Sequence, residues 1–183
     1  MAKTKKQTFL LAHYFDRTLS QADIVFLDKD YKELLRTNQL TIPQVDTLKL
    51  MLWSKREEVC CGPYINLSFF EISNRIYSDL VLIEAAQKLF TDHSIRTIRL
   101  NMSNKGGNDI IVIDKTGNEV LGEAFNTATS FFQIKFRTEI KKFEERTAGF
   151  VAFNRSALDD SNKYFLDRQL KKYPNVTPII CEI

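Results

Sequence analysis

A glycine turn between two apolar segments constrains the fold of this chain more than any other feature. Residues 109–114 read DIIVID and residues 118–126 read NEVLGEAFN, and the turn between them ends in Gly117. Asp114 at the start and Gly117 at the end are typical of a three-residue hairpin loop, a type I turn closed by a left-handed glycine. The pattern predicts two antiparallel strands whose register is set by this turn.

The predicted register brings two acids together. A three-residue loop pairs Asp114 with Asn118 and therefore places Asp109 opposite Glu123. Directly opposed side chains share one face of a sheet and lie about 5 Å apart at Cβ. Carboxylates at that distance repel each other unless a cation lies between them or one is protonated. A two-residue loop would instead oppose Asp109 to Ala124 and separate the acids.

The paired acids favour a divalent-metal site. Mg²⁺ takes oxygen ligands and typically binds through one or two carboxylates together with substrate phosphates. We therefore expect Asp109 and Glu123 to bind Mg²⁺ or Mn²⁺. Two structural alternatives stay open. Asp109 follows Gly-Gly-Asn and suits a turn residue at the start of a strand, and Glu123 would be solvated on an exposed edge, although burying it unpaired is costly.

Composition indicates an ordinary globular protein. The chain has 183 residues, 44% of them hydrophobic and 27% charged, which fits one domain with a sizeable core. A net charge of +3 does not indicate nucleic acid by itself. The three cysteines do not resemble a disulfide framework. No apolar run has the length of a transmembrane helix, and the apolar segment before Asp16 is too short for a signal peptide. We expect a cytoplasmic protein with no membrane partner.

Other chemistries lack their motifs. Cys60-Cys61 is not a pair of separated zinc ligands, and neither His13 nor His93 shares a zinc-ligand spacing with the cysteines. The chain has no GxGxxG and no Walker A motif, so the dinucleotide and nucleotide sites built on them are unsupported. It also lacks the G-x-S-x-G turn of serine hydrolases.

The sequence pattern predicts a helical N-terminal extension over residues 1–61. Ser20 is positioned to cap one helix, and Pro43 lies near the first helical position of another. The second helix contains Trp53 and more apolar residues than one helical stripe needs, which is compatible with a buried helix or a subunit contact. A homodimer would have C2 symmetry, the commonest oligomer type. The additional apolar residues are Leu48, Leu50, Met51 and Leu52.

Residues 62–183 predict an α/β core after a break at Gly62-Pro63. From residue 73 the patterns give a helix, three strands, a helix to about residue 146, a strand, a helix and a last strand. Apolar runs such as IIVI and FVAF indicate a sheet covered on both faces. The predicted fold class is α/β, with a mixed central sheet, an α-β-β-β-α-β core and flanking helices.

This order of elements, with an acid at the start of the second strand and another in the third, resembles the PD-(D/E)XK nuclease superfamily. Residues 107–109 (GND) stand for the P-D element, and residues 123–125 (EAF) stand for the (D/E)-X-K element. The resemblance covers residues 73–154. It implies a restriction-endonuclease-like fold and metal-dependent hydrolysis of phosphodiester bonds in double-stranded DNA, as by a type II restriction endonuclease.

The chain departs from this family at Phe125, where the family has a lysine. The resemblance then implies three possibilities. Lys135 of the following helix replaces the lysine, the site works without one, or the protein is inactive and binds DNA or a protein partner. The family often adds an acid from its first helix, and here Asp79 is preferred over Glu84 and Glu71. An α/β protein unrelated to nucleases, in which the two acids never meet, remains an alternative.

Residues 135–146 carry charges of both signs. Glu139 and Lys142 have the three-residue spacing of a helical ion pair, and such patterning favours a solvated helix face over a DNA-contacting one. Just before this helix, Asn126 and Thr127 are candidate hydrogen-bond donors to a phosphate at the helix N-terminus.

Overall fold

The computed structural model of the protein describes residues 9–92, 95–102, 107–143 and 148–183. The helices of this part are α1 (Gln21–Thr37), α2 (Thr47–Arg56), α3 (Phe69–Asp92), α4 (Phe132–Ile140) and α5 (Asp160–Lys172). The strands are β1 (Glu58–Cys61), β2 (Tyr64–Ser68), β3 (Ile95–Leu100), β4 (Ile110–Asp114), β5 (Glu119–Phe125), β6 (Gly149–Asn154) and β7 (Val176–Cys181).

The central sheet has five strands in the order β3-β4-β5-β6-β7. The first three strands pair antiparallel, and the last three pair parallel. Parallel neighbours need a crossover connection, and α4 and α5 lie in the two crossovers of this sheet. The predicted α/β class, with a mixed sheet and flanking helices, is confirmed.

The β4–β5 hairpin has the predicted three-residue loop. The Asp114 backbone N–H donates to the Asn118 carbonyl at 3.0 Å, and the Gly117 N–H donates to the Asp114 carbonyl at 3.1 Å. Gly117 has φ +91°, which glycine adopts without the steric cost of a Cβ. The loop chemistry therefore sets the register as expected.

That register extends to the start of β4. Ile110 pairs with Gly122 at this end of the ladder, so the next residues outward are Asp109 and Glu123. They face each other as predicted, and the Glu123 charge acts on Asp109, so the two acids meet. The relation of the chain to nucleases stays a prediction.

Apolar cores cover both faces of the sheet. On one face, α3 packs against β3, β5, β6 and β7, and α1 packs against α3. On the other face, α4 and α5 pack over β5 and β6 around a group of phenylalanines. The Phe132 and Phe153 ring centroids lie 5.1 Å apart in an edge-to-face arrangement, which the aromatic quadrupole favours. The phenylalanines of this second core are Phe125, Phe132, Phe136, Phe143, Phe153 and Phe165.

The N-terminal part is not purely helical. Strand β1 pairs antiparallel with β2 across Gly62-Pro63, so the predicted boundary after residue 61 falls within a hairpin. Helix α1 contributes Ile24, Leu27 and Tyr31 to the same core as α3. The extension and the sheet therefore share one core.

Helix α2 starts later and is less buried than expected. Asp46 caps it by accepting a hydrogen bond from the Lys49 N–H at 3.0 Å, so Pro43 lies outside the helix. None of its residues is buried, and Leu48 is 67% exposed. Trp53 is half-buried. The buried-helix alternative is wrong, and the subunit contact stays a prediction.

Helix α3 begins one turn earlier than expected. Ser68 accepts a hydrogen bond from the Glu71 N–H at 3.3 Å and caps the helix. The Ser73 hydroxyl, expected near the start, instead donates to the Phe69 carbonyl at 2.8 Å inside the helix. Helix α4 ends at Ile140, and residues 144–146 of its predicted extension lie outside the described residues.

No helix within the described ranges combines the length and the apolar composition needed to cross a membrane. Cys60, Cys61 and Cys181 are free thiols. His93 lies outside the described residues, and the cytoplasmic location stays a prediction.

Candidate functional site

A polar cavity of about 340 Å³ lies where β4 begins and β5 ends. Helix α3 lines one side of it and α4 lines another. Three of the predicted site residues, Asp79, Asp109 and Lys135, line this cavity, and Glu123 is buried beside Asp109. The charged residues of the lining are Arg75, Asp79, Asp109, Lys135, Glu139 and Lys142.

Asp109 is fixed by the strand beside it. Its Oδ2 accepts a hydrogen bond from the Ala124 N–H at 2.9 Å, and its backbone carbonyl accepts one from the Asn101 N–H at 2.9 Å. Burial raises the pKa of Asp109 to about 6, although the Ala124 hydrogen bond opposes this. The Glu123 carboxylate raises it further by charge and by a side-chain hydrogen bond, whereas Lys142 lowers it. The two acids therefore share one site.

Glu123 is buried and fully bonded. Its Oε1 accepts a hydrogen bond from Asn108 Nδ2 at 2.7 Å, and its Oε2 lies 2.7 Å from Lys142 Nζ. The side chain is only 1% exposed, because β5 is a central strand between β4 and β6. The exposed-edge alternative for Glu123 is wrong, and its partners meet the requirement that a buried carboxylate be paired.

Lys142 belongs to a chain of charges on the α4 side of the cavity. Its Nζ lies 2.6 Å from Glu139 Oε2, and Glu139 Oε1 lies 2.6 Å from Lys135 Nζ. Burial alone would lower the pKa of Lys142, but hydrogen bonds and charges from Glu123 and Glu139 raise it above its ordinary value. Burial would raise the pKa of Glu139, but the two lysines hold it below its usual range.

These contacts correct the prediction for residues 135–146. Glu139 is 4% exposed, so this face of the helix is not simply solvated. Lys142, which sequence reasoning did not place in the site, is the lysine that contacts Glu123. The signal was present in the spacing of residues 135, 139 and 142 by four and three, which predicts one helix face. The observed helix ends at Ile140, and the turn after it brings Lys142 to the same side.

Lys135 lies over the position where the resemblance expects a lysine. Its Nζ is 5.9 Å from the centroid of the Phe125 ring, and its ion-pair partner is Glu139. Phe125 is 2% exposed and its ring centroid lies 5.9 Å from that of Phe153, so this strand position belongs to the apolar core.

Asp79 joins the cavity to the N-terminal helix. Its carboxylate accepts a hydrogen bond from the Tyr31 hydroxyl of α1 at 2.9 Å, and another from the Tyr64 hydroxyl of β2. Burial raises the pKa of Asp79 to about 7, which Tyr64, Tyr31 and Arg75 oppose and the Asp109 charge assists. Neither tyrosine was among the residues predicted for the site, because both lie far from Asp79 in sequence.

The remaining predicted site residues differ in whether they lie at the cavity. Glu84 and Glu71 do not line the cavity, whereas Asn126 does. The Thr127 N–H donates to the Asn154 side chain at 2.9 Å, so it is committed to a strand end rather than to a phosphate.

Within the described residues, no three His, Cys, Asp or Glu side chains are grouped to hold a metal ion. A cation beside Asp109 and Glu123 would thus have two protein carboxylates and would need oxygens from water or substrate. Comparisons with family models, curated protein sequences and solved structures find no significant match to this chain. The resemblance to PD-(D/E)XK nucleases stays a prediction.

Proposed function

We propose that the protein is a divalent-metal-dependent DNA endonuclease of the type II restriction class, with a restriction-endonuclease-like core. The observation that carries the proposal is the adjacency of Asp109 and Glu123 beside a polar cavity that Lys135 also lines. Two acids opposed across a hairpin, with a lysine nearby, are the parts that the resemblance to PD-(D/E)XK nucleases leads us to expect. Double-stranded DNA is the proposed substrate.

The two carboxyls suit Mg²⁺ or Mn²⁺. The raised pKa of Asp109, about 6, reflects burial and the neighbouring Glu123 charge, and a cation would offset both. Carboxylate oxygens are the ligands that these hard cations prefer, and Mg²⁺ commonly uses only two of them. When bound, the metal would stabilise charge on the phosphate and lower the pKa of an attacking water.

Neighbouring hydrogen-bond donors hold the two carboxylates in a fixed orientation. The Ala124 N–H holds one oxygen of Asp109, and the Asn108 amide holds one oxygen of Glu123. Preset groups of this kind need no reorganisation when charge develops in the transition state. Lys135 and Lys142 bring positive charge to the cavity and would offset the charge of a phosphodiester.

Cleavage of supercoiled plasmid DNA tests the proposal. With Mg²⁺ or Mn²⁺ the wild-type protein should nick or cut the plasmid. Asp109→Asn and Glu123→Gln should lower the cleavage rate by at least about 100-fold while leaving DNA binding largely intact. Asp160→Asn is the matched control, because this acid is fully exposed on α5 and should cut like the wild type. Wild-type rates in both site variants would exclude the metal site.

A catalytically inactive protein that binds DNA or a protein partner is the second candidate. Two observations favour it. Lys142 already supplies a cation to Glu123 at 2.7 Å, and Phe125 occupies the expected lysine position. This candidate predicts no binding of Mn²⁺ in calorimetric titration and no cleavage with any divalent ion. Mn²⁺ binding that is lost in Asp109→Asn would decide against it.

A further inference from the structure

Arg75 is a cation that lines the cavity. It belongs neither to the proposed metal site nor to the chain of charges formed by Lys135, Glu139 and Lys142. It lies on α3, four residues before Asp79, so both side chains are on the same face of the helix. We propose that the Arg75 guanidinium binds a phosphate of the DNA substrate. This inference rests on the proposed function, because it takes its ligand class from it.

The charge of Arg75 is less neutralised than that of the two cavity lysines. Lys135 and Lys142 each form ion pairs of 2.6 Å with Glu139. Over the ranges 9–92, 95–102, 107–143 and 148–183, no carboxylate lies within ion-pair distance of Arg75. Asp79, the acid on its own helix face, has its carboxylate engaged by two tyrosine hydroxyls.

The Arg75 side chain is held in place by an aromatic ring. Its guanidinium carbon lies 5.6 Å from the centroid of the Tyr64 ring, within the range of a cation–π contact. Tyr64 is fully buried and is itself fixed through its hydroxyl by Asp79. A ring contact leaves the N–H donors of a guanidinium free to bond elsewhere.

These donors suit a phosphate. A guanidinium presents N–H groups in a planar fork that matches two phosphate oxygens, which a lysine ammonium cannot do. Arg75 is half-buried, so it is partly desolvated and still open to the cavity. It would bind a backbone phosphate while Asp109 and Glu123 act on the scissile bond.

Fluorescence anisotropy with a labelled DNA duplex, in EDTA and over a range of NaCl concentrations, tests the inference without cleavage. Arg75→Gln should weaken binding about tenfold and lower the slope of log K against log salt by about 1. Arg75→Lys keeps the charge but loses the fork, so its affinity should be intermediate and its slope close to the wild type.

Arg168→Gln is the matched control. Its guanidinium also lies over an aromatic ring, 6.0 Å from the Phe165 centroid, but on α5 and outside the cavity. It should bind DNA like the wild type. Circular dichroism verifies that each variant is folded, and Arg75→Lys carries the test if Arg75→Gln is not.

The inference is overturned, and the proposed function is not, if Arg75→Gln binds DNA with the affinity and salt slope of the wild type. If only Arg75→Lys folds, wild-type affinity in that variant has the same meaning. Arg75-dependent binding by a protein that cuts no DNA would overturn the proposed function alone. A wild-type protein that does not bind the duplex at all would overturn both.

Discussion

Replacing Asp79 by asparagine should change how the stability of the protein depends on pH. The Asp79 carboxyl is buried, and burial raises its pKa from 3.8 to about 7. One pKa unit corresponds to about 1.36 kcal/mol, so the full rise is worth about 4 kcal/mol as an upper value. This is a large fraction of the stability of a typical domain, about 5–15 kcal/mol.

The sign follows from proton binding. Because the folded-state pKa of this acid is raised, the folded protein holds the proton between pH 3.8 and about 7, whereas the unfolded chain has released it. The contribution of Asp79 to stability is fully present below this window. It falls as the pH rises through the window and is lost above it. Asparagine does not titrate, so the variant lacks this decline.

Urea unfolding of the wild type and Asp79→Asn across this pH window measures the effect. The free energy of unfolding of the wild type minus that of the variant should fall by up to about 4 kcal/mol as the pH rises. Asparagine brings N–H donors beside Tyr31 and Tyr64, and this cost of about 1–3 kcal/mol shifts the difference equally at every pH. Asp109 titrates in both proteins and largely cancels.

Asp160→Asn controls for the loss of one negative charge, since its side chain is fully exposed. It should follow the pH dependence of the wild type. If the curves of the wild type and Asp79→Asn run parallel through the window, the burial argument for Asp79 is refuted.

Two further substitutions test the hairpin and the buried ion pair. Gly117→Ala should destabilise the protein by about 1 kcal/mol in thermal unfolding, because φ is +91° at this position. The added Cβ would meet no atom, so the backbone conformation alone is the cause. Gly117→Asn should recover part of the lost stability, and an unchanged unfolding midpoint for Gly117→Ala would contradict the turn geometry. Lys142→Met should cost about 1–3 kcal/mol in urea unfolding, less than a fully buried pair because Lys142 is 45% exposed. Adding Glu123→Gln to Lys142→Met should restore most of this loss, and equal losses in the single and double variants would show that charge is not the cause.

Features set by neighbouring residues could be predicted from the sequence. Ser20 caps α1 in a reciprocal pair with Asp23, as a short polar residue before an apolar pattern indicates. Gly117 determines the β4–β5 register, and through it the meeting of Asp109 and Glu123. These features depend on steric and hydrogen-bonding preferences that act within a few residues.

Features set by distant residues could not be predicted. The bond from Lys142 to Glu123 joins positions 19 residues apart, and the bond from Tyr31 to Asp79 joins positions 48 apart. Charge spacing shows that Glu139 and Lys142 share a helix face, but not that this face turns toward the sheet. That orientation is set by Phe132 and Phe136, which adjoin Glu139 on the buried face of α4 and pack in the second core.

The burial of Phe125 explains why the lysines of the cavity do not come from the strand that carries Glu123. The Phe125 ring lines the cavity while it packs against the rings of Phe132 and Phe153, so a lysine at this strand position would lose that packing. The half-exposed positions 135 and 142 follow this strand and carry their lysines without entering the core. Asp109 and Glu123 thus come from the strand ends, whereas the two lysines come from the helix and the turn that follow the strand.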